Sequence, residues 1–307
     1  WADVQSTLCV LPTGAGKTVV AAEIINRIQP KRAIFVCHRS ELVSQAYRTI
    51  SAHTGLEVDV EMADQVATTT FFGRSPVVIA TIQTLSSGSR MNRFDPRDFG
   101  VLICDESHHI VAPTWKKVIN HFKSNPELKV FNITASPDRA DEKALGELID
   151  SVAFDYEIVD AIQDGWLVPV QQQMITITGL DFSHIRTTAG DLNGADLAKV
   201  MEAEKSLHGI VDATIKEIGD RRTLVFAVSV HQAEMYAEIF NRHRKNMATW
   251  ICGKTPIEER QERFRDFRAG EFQVLCNVGI ATEGFDLPAI EVIVMARPTK
   301  SRCLYAQ

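Results

Sequence analysis

Residues 7–18 constrain the fold of this chain more than any other stretch. An apolar run, Thr7–Leu11, leads directly into Pro12-Thr13-Gly14-Ala15-Gly16-Lys17-Thr18, and a helical pattern follows with Val20, Ala21, Ile24, Ile25 and Ile28 on one face. Strand, glycine-rich turn and helix in that order form a phosphate-binding loop. Glycines let backbone N–H groups converge on phosphate oxygens, and the helix N-terminus adds a favourable dipole. Lys17 is placed to neutralise the β- and γ-phosphates of ATP, and the Thr18 hydroxyl to hold Mg²⁺. Leu11 stands where the general pattern has glycine. A chance glycine-rich turn would share these letters; the Gly-Lys-Thr ending and the strand–helix context speak against it.

The rest of the chain repeats the same alternation. Apolar runs at Ala33–Cys37, Val77–Thr81, Val101–Cys104 and Val130–Thr134 continue the first half; Gln173–Thr178, Thr223–Val228, Ala248–Cys252, Val274–Val278 and Val292–Ala296 mark the second. Most are near-continuously apolar and rich in Val and Ile, as strands buried on both faces are. Strands alternating with helices predict an α/β protein with parallel sheets. A chain of 307 residues suits two domains. We expect lobes at residues 1–165 and 166–307, with the polar stretch Gly179–Gly194 as a connection or surface excursion.

The predicted helices carry their own signals. Ser40–Ala52 places Leu42, Val43, Ala46, Tyr47 and Ile50 on one face. Thr255-Pro256-Ile257-Glu258 and Ser229-Val230-His231-Gln232 read as capping boxes, and Gly270 as a helix stop. Arg260, Arg263, Arg265 and Arg268 alternate with Glu258, Glu259, Glu262 and Asp266, which favours a solvated helix packing Phe264 and Phe267 over a basic patch. Arg242, His243, Arg244 and Lys245 read as a surface loop.

Composition excludes little. No apolar run approaches the roughly 20 residues of a membrane helix, and the start Trp1-Ala2-Asp3, without Met, shows no signal peptide and points to a true N-terminus further upstream. The six cysteines lack metal or redox spacing and sit mostly in apolar runs, which favours reduced thiols and the cytoplasm of a bacterial or phage-infected cell. The net charge of −6 gives no global attraction to nucleic acid but leaves room for a local basic groove.

A second chemical signal is Val101-Leu102-Ile103-Cys104-Asp105-Glu106-Ser107-His108-His109. Adjacent carboxylates ending an apolar strand are costly unless solvated or paired. Downstream of a phosphate loop, Asp105 suits Mg²⁺ and Glu106 suits a general base that activates water. His109 could equally pack or start a helix.

Together these segments resemble motifs I and II of superfamily 2 helicases, with Ser107 where the DEAH pattern has Ala. Further segments resemble the remaining motifs in order: Cys37–Leu42 motif Ia, Ala80–Leu85 motif Ib, Thr134–Arg139 motif III, Leu224–Ser229 motif IV and Asn277–Pro288 motif V. Asp105–Trp115, Ala161–Pro169 and Ala296–Ser301 are similar to one subgroup, the bacterial and phage helicases related to type III restriction subunits and the translocase XPB.

The resemblance implies two tandem RecA-like P-loop NTPase lobes, the second incomplete, and an ATP-dependent helicase or translocase acting on nucleic acid, with DNA favoured over RNA. It implies a phosphate and cofactor site formed by Pro12, Thr13, Gly14, Ala15, Gly16, Lys17 and Thr18, with Gly284 and Asp286 reaching the nucleotide. Lys17, Asp105, Glu106 and His108 take catalytic roles, with Thr18 and Asp105 on the metal. Arg39, Thr81, Gln83, Ser229 and Thr282 are expected on nucleic acid, and Thr134 and Ser136, with His108, couple the two sites. Helix capping alone also accounts for Ser229, and a turn for Gln83. Gln307 matches the opening of the sixth motif, so its arginines are missing and weak turnover is expected of this stretch. An adenine-reading Gln motif is likewise missing, since Gln5 is too close to the phosphate loop. Two other classes stay open: an ATP-gated clamp or sensor without unwinding, and a small-molecule kinase, which would need only one lobe.

Overall fold

The computed structural model describes residues 3–70, 73–135, 146–177, 180–188, 191–280, 287 and 289–300. Its contacts separate two compact units, Trp1–Val170 and Gln171–Gln307.

The first unit contains β1 (Ser6–Val10), α1 (Lys17–Arg27), β2 (Arg32–Cys37), α2 (Ser40–Thr54), β3 (Val58–Glu61), β4 (Val77–Thr81), α3 (Ile82–Ser86), β5 (Phe99–Asp105), α4 (Pro113–Lys123), β6 (Lys129–Thr134), β7 (Ser151–Asp155) and α5 (Ile158–Gln163). Its seven-stranded sheet has the order β3-β4-β2-β5-β6-β1-β7, and every pairing is parallel. Alternate residues of one strand serve opposite faces. Ile34 and Val36 pack with Leu85, Trp115 and Phe122 beneath α3 and α4. Ala33, Phe35 and Cys37 pack with Ala21, Ile25, Val43 and Ile50 beneath α1 and α2. Burial on both faces is why these strands read as continuous apolar runs.

The second unit contains β8 (Thr187–Thr188), β9 (Asp191–Leu192), α6 (Gly194–Met201), α7 (Glu204–Ile218), β10 (Thr223–Phe226), α8 (Val230–His243), β11 (Ala248–Cys252), α9 (Ile257–Ala269), β12 (Val274–Val278) and β13 (Val292–Met295). Its four-stranded sheet, β11-β12-β10-β13, is also parallel, and β8–β9 form a small antiparallel ribbon.

Several details differ from the sequence reading. Residues 173–177 form no strand; they are mostly exposed, with Met174 89% exposed, and follow Gln171 and Gln172. So short an apolar run, behind a polar flank, does not bury both faces of a strand. Tyr47 is 43% exposed while Leu42, Val43, Ala46 and Ile50 are buried, because it lies at the rim of the α2 stripe. The Thr255 box does not form: Pro256 is the N-cap of α9, and the Thr255 hydroxyl accepts from Cys252 N at 3.0 Å instead. Arg242 and His243 end α8 rather than lying in a loop, and both meet acids, Glu238 and Asp212. Phe267 is buried and Phe264 packs beside it, with Arg263 paired to Glu259. No helix among the described residues is long and apolar enough to cross a membrane.

Candidate active site

In a sheet whose strands all run parallel, every carboxyl end lies at one edge, where ligands bind in open α/β folds. The strand order sets β5, β6 and β1 side by side. The phosphate loop, the Asp105–Glu106 pair and Thr134 therefore meet at one edge although about 120 residues separate the first from the last.

The loop is held open by its backbone. Leu11 N donates to Thr134 O at 2.9 Å, and Ala15 N to Pro12 O at 3.1 Å. Gly14 and Gly16 have φ of 86° and 88°, a left-handed conformation that costs a side chain about 1–2 kcal/mol. A Cβ on Gly14 would also stand 3.1 Å from Leu167 Cδ2, so the 161–169 segment buttresses the loop. Gly16 caps α1 without a side chain, and no acid occupies the first turn. The N–H groups there are left for an anion.

Lys17 opens α1 and turns into the site. Its Nζ lies 3.4 Å from Glu106 Oε1, is buried, and donates no hydrogen bond to any described residue. Asp105, the last residue of β5, is buried, and its Oδ1 accepts from Glu106 N at 3.1 Å. Burial first, and the Glu106 charge second, push its carboxyl up to about 7, against the opposing pull of Lys17. A cation there would favour the ionised form. Glu106 sits at φ 50°, ψ 53°, a conformation that is sparse for non-glycine residues and recurs at functional sites. Its Oε2 lies 3.5 Å from His108 Nδ1, and the same nitrogen is 3.2 Å from Thr134 Oγ1. His108 thus joins Glu106 to the neighbouring strand.

These groups suit a nucleotide polyphosphate. A buried ammonium that faces one carboxylate and donates no hydrogen bond among the described residues has room for phosphate oxygens, the glycine loop and bare helix end supply N–H donors, and Thr18 with Asp105 offers the oxygen ligands that Mg²⁺ prefers.

Further along the same edge, Arg39 follows β2 and Gln83 follows β4, two adjacent strands. Gln83 Nε2 donates to His38 O at 2.8 Å, and Arg39 Nε to His38 Nε2 at 3.0 Å, so the two loops are tied. Thr81 is buried, and its hydroxyl caps α3 by accepting from Thr84 N. In the second unit, Ser229 caps α8: Oγ accepts from Gln232 N at 3.0 Å and donates to Glu202. The reciprocal arm of that box is displaced, because Gln232 Oε1 accepts from Val228 N rather than from Ser229 N. Ser136, Thr282, Gly284 and Asp286 lie outside the described residues.

Two features escaped the sequence reading. His109 lies between His108, at 4.0 Å between centroids, and His38, at 4.8 Å, with the rings tilted against one another. The histidines therefore run from the Glu106 side to the Arg39 loop; adjacency to Arg39 and Glu106 in sequence was the available signal. Glu61, fully buried, pairs with Arg90 at 2.5 Å and Arg93 at 3.2 Å. This brace stands next to the Thr81–Thr84 cap, since Ala63 N donates to Thr84 Oγ1, and its partners lie too far apart in sequence to be paired by eye.

A glycine-rich loop ahead of α1, with an Asp-Glu pair closing a nearby parallel strand, defines a P-loop nucleotide-binding protein of RecA-like α/β architecture. Residues 3–139 match the family described as type III restriction enzyme, res subunit, and residues 205–307 match the helicase conserved C-terminal domain. The chain is 30% identical over 313 residues to IRC3 of Saccharomyces cerevisiae, named as a candidate ATP-dependent helicase, covering 97% of this chain and 44% of that one. It is 27% identical to the DNA 3'-5' helicase XPB of Mycobacterium tuberculosis, covering 97% and 53%. Among solved structures it resembles S. cerevisiae Dbp5 bound to RNA and ADP BeF3, with a TM-score of 0.64 at 13% identity over 95% of this chain and 70% of that one, a likeness of fold alone. The two halves of the chain thus resemble superfamily 2 helicases, in the group related to type III restriction subunits and XPB. It spans about half the length of the curated relatives it matches.

Proposed function

We propose that this chain is the ATP-hydrolysing core of a helicase or translocase that couples turnover to movement along a nucleic-acid strand, DNA rather than RNA. The observation that supports it most is the convergence of Lys17, Asp105 and Glu106 at one sheet edge, with Lys17 Nζ 3.4 Å from the Glu106 carboxylate. In this reading, the phosphate loop from Pro12 to Thr18 holds ATP, and Thr18 and Asp105 hold Mg²⁺. When bound, the metal neutralises charge on the phosphate oxygens. Lys17 exchanges its Glu106 partner for those oxygens. Glu106, released, accepts a proton from the attacking water, and His108 keeps its carboxylate oriented from the other side. Thr134 and His108 carry the state of the site towards the two tied segments bearing Arg39 and bearing Thr81 and Gln83, which grip the sugar-phosphate backbone. Thr282 joins the strand-binding set, Ser136 the coupling set, and Gly284 and Asp286 the nucleotide set, by family position alone; the Ser229 hydroxyl is taken up by its helix cap and Glu202. Residues 1–165 and 166–307 serve as the two motor lobes, in a cytoplasmic protein whose described cysteines are all free.

ATPase rates with and without single- and double-stranded DNA and RNA test this, with Glu106→Gln as control. Stimulation by a polymer, lost in the control by about 10²–10⁴-fold, supports the motor, and the stronger polymer names the substrate. ATP binding with a rate that no polymer changes replaces the motor by a nucleotide-gated clamp.

A further inference from the structure

The phosphate loop opens on one side into a pocket of about 370 Å³ lined by Leu11, Ala15, Phe154, Tyr156, Asp164 and Trp166. That volume falls at the lower end of the roughly 300–1,000 Å³ typical of small-molecule sites. Its walls come from three places in the sequence. Leu11 and Ala15 belong to the loop itself. Phe154 and Tyr156 come from the end of β7, the edge strand beside β1, with Tyr156 N donating to Val10 O at 3.1 Å. Asp164 and Trp166 follow α5, where the backbone N–H groups of Trp166 and Leu167 both return to Ala161 O and fix the turn. Leu167 then packs on Gly14.

The aromatic content is unusual for a surface. Phe154 and Trp166 are 51% and 75% exposed, and the Phe154 and Tyr156 rings stack with centroids 5.7 Å apart. Large rings left facing water beside a ligand loop are platforms for another flat ring. The polar group has a defined orientation too. The Tyr156 hydroxyl donates to Asp164 Oδ2 at 2.6 Å, which holds the carboxylate at the pocket and leaves it able to accept more. That link also pushes the Tyr156 phenol up to about 12, so the hydroxyl keeps its proton at neutral pH.

We propose that this pocket is the nucleobase subsite of the nucleotide held by the phosphate loop: Trp166 and the Phe154–Tyr156 pair stack the base, and Asp164 accepts a hydrogen bond from its exocyclic amino group. Ala15 belongs to both loop and pocket, so one ligand with phosphates at one end and a flat ring at the other fits the continuous surface. The carboxylate selects an amino-bearing base such as adenine over hypoxanthine, which presents a carbonyl at that position. The inference rests on the phosphate-loop reading above and adds a base-reading element drawn from β7 and the segment after α5.

Titration of the full chain with ATP, ITP and inorganic triphosphate, followed by tryptophan fluorescence and by calorimetry, tests it. ATP is expected to quench fluorescence and inorganic triphosphate to leave it unchanged. Trp166→Leu is expected to abolish the quench and weaken ATP about tenfold, in line with one base-stacking contact, while inorganic triphosphate binds as before. Because Trp166 is exposed, that variant keeps its fold; Asp164→Asn should narrow the preference for ATP over ITP and serves as the second test. Unchanged ATP affinity in both variants would overturn the base site. If inorganic triphosphate bound equally well to Lys17→Ala, the phosphate-loop reading would fail instead, and the base site with it.

Discussion

Lys17 Nζ and Glu106 Oε1 stand 3.4 Å apart with both side chains about nine-tenths buried, although one opens α1 and the other follows β5. Each is the other's compensation for lost water. Removing one member of a buried pair strands the remaining charge, at a cost of about 3–5 kcal/mol. Lys17→Ala is therefore expected to lower stability as well as abolish nucleotide binding. Glu106→Gln in the same background should restore most of the loss, because the stranded carboxylate is gone. A double-mutant cycle in urea measures this coupling. Strict additivity of the two substitutions would show that the pair does nothing for the fold.

Leu11 explains a departure from the usual phosphate-loop pattern. It is 5% exposed and belongs to the cluster formed by Ala21, Ala22, Ile25 and Phe35, so this chain uses the position for packing. Leu11→Gly restores the common residue yet should cost about 3 kcal/mol, as large-to-small core changes do. Leu11→Met, which keeps the volume, should cost under about 1.5 kcal/mol. Thermal or urea melts of both variants decide it. A glycine variant as stable as the parent would mean that the loop, not the core, sets this position.

What the sequence made legible follows from how local each feature is. The phosphate loop, Asp105 and Glu106 could be read because their chemistry demands particular residue types at adjacent positions. The buried strands could be read because two-sided burial requires unbroken apolar runs. The edge strands β3 and β7 have no such run: residues 152–155 of β7 are exposed, and β3 is only partly buried except at Glu61. The Gln173–Thr178 run had the right letters and no partner strand over its described residues. The His38–His109 contact and the Glu61–Arg90–Arg93 brace depend on which strands become neighbours, and strand order is not written in any single segment.

Ser229 separates two roles that one residue could play. Its only O–H donates to Glu202, and its lone pairs serve Gln232 N. A phosphate contact would require that hydroxyl to leave Glu202, whose negative charge repels phosphate. Ser229→Ala is expected to cost about 1 kcal/mol of stability, the usual value of a helix cap, and to leave nucleic-acid affinity nearly unchanged. Glu202→Gln should raise affinity modestly at low salt. Fluorescence anisotropy with a labelled oligonucleotide, beside thermal melts, checks both. A tenfold loss of affinity in Ser229→Ala would place the hydroxyl on the nucleic acid.

The thiols give a prediction with a definite sign in pH. Cys9, Cys37, Cys104, Cys252 and Cys276 are free and buried. Burial pushes the Cys9 thiol up to about 11, helped by the nearby Asp155 charge, and raises Cys37, Cys104 and Cys276 further. The thiolate is the reactive form, and an ordinary thiol titrates near 8.5. At pH 8, Cys9 in the folded chain should therefore alkylate on the order of a hundredfold more slowly than in guanidinium, even before access is considered. The same shift acts on stability. The native state holds these protons more tightly than the unfolded chain, so the contribution is fully present below about pH 8.5 and is lost as pH rises towards 11. Peptide-level mass spectrometry after brief iodoacetamide treatment, at several pH values, follows each cysteine separately. Native Cys9 labelling as fast as that of the unfolded chain at pH 8 would mean that β1 opens readily, which its place between β6 and β7 forbids.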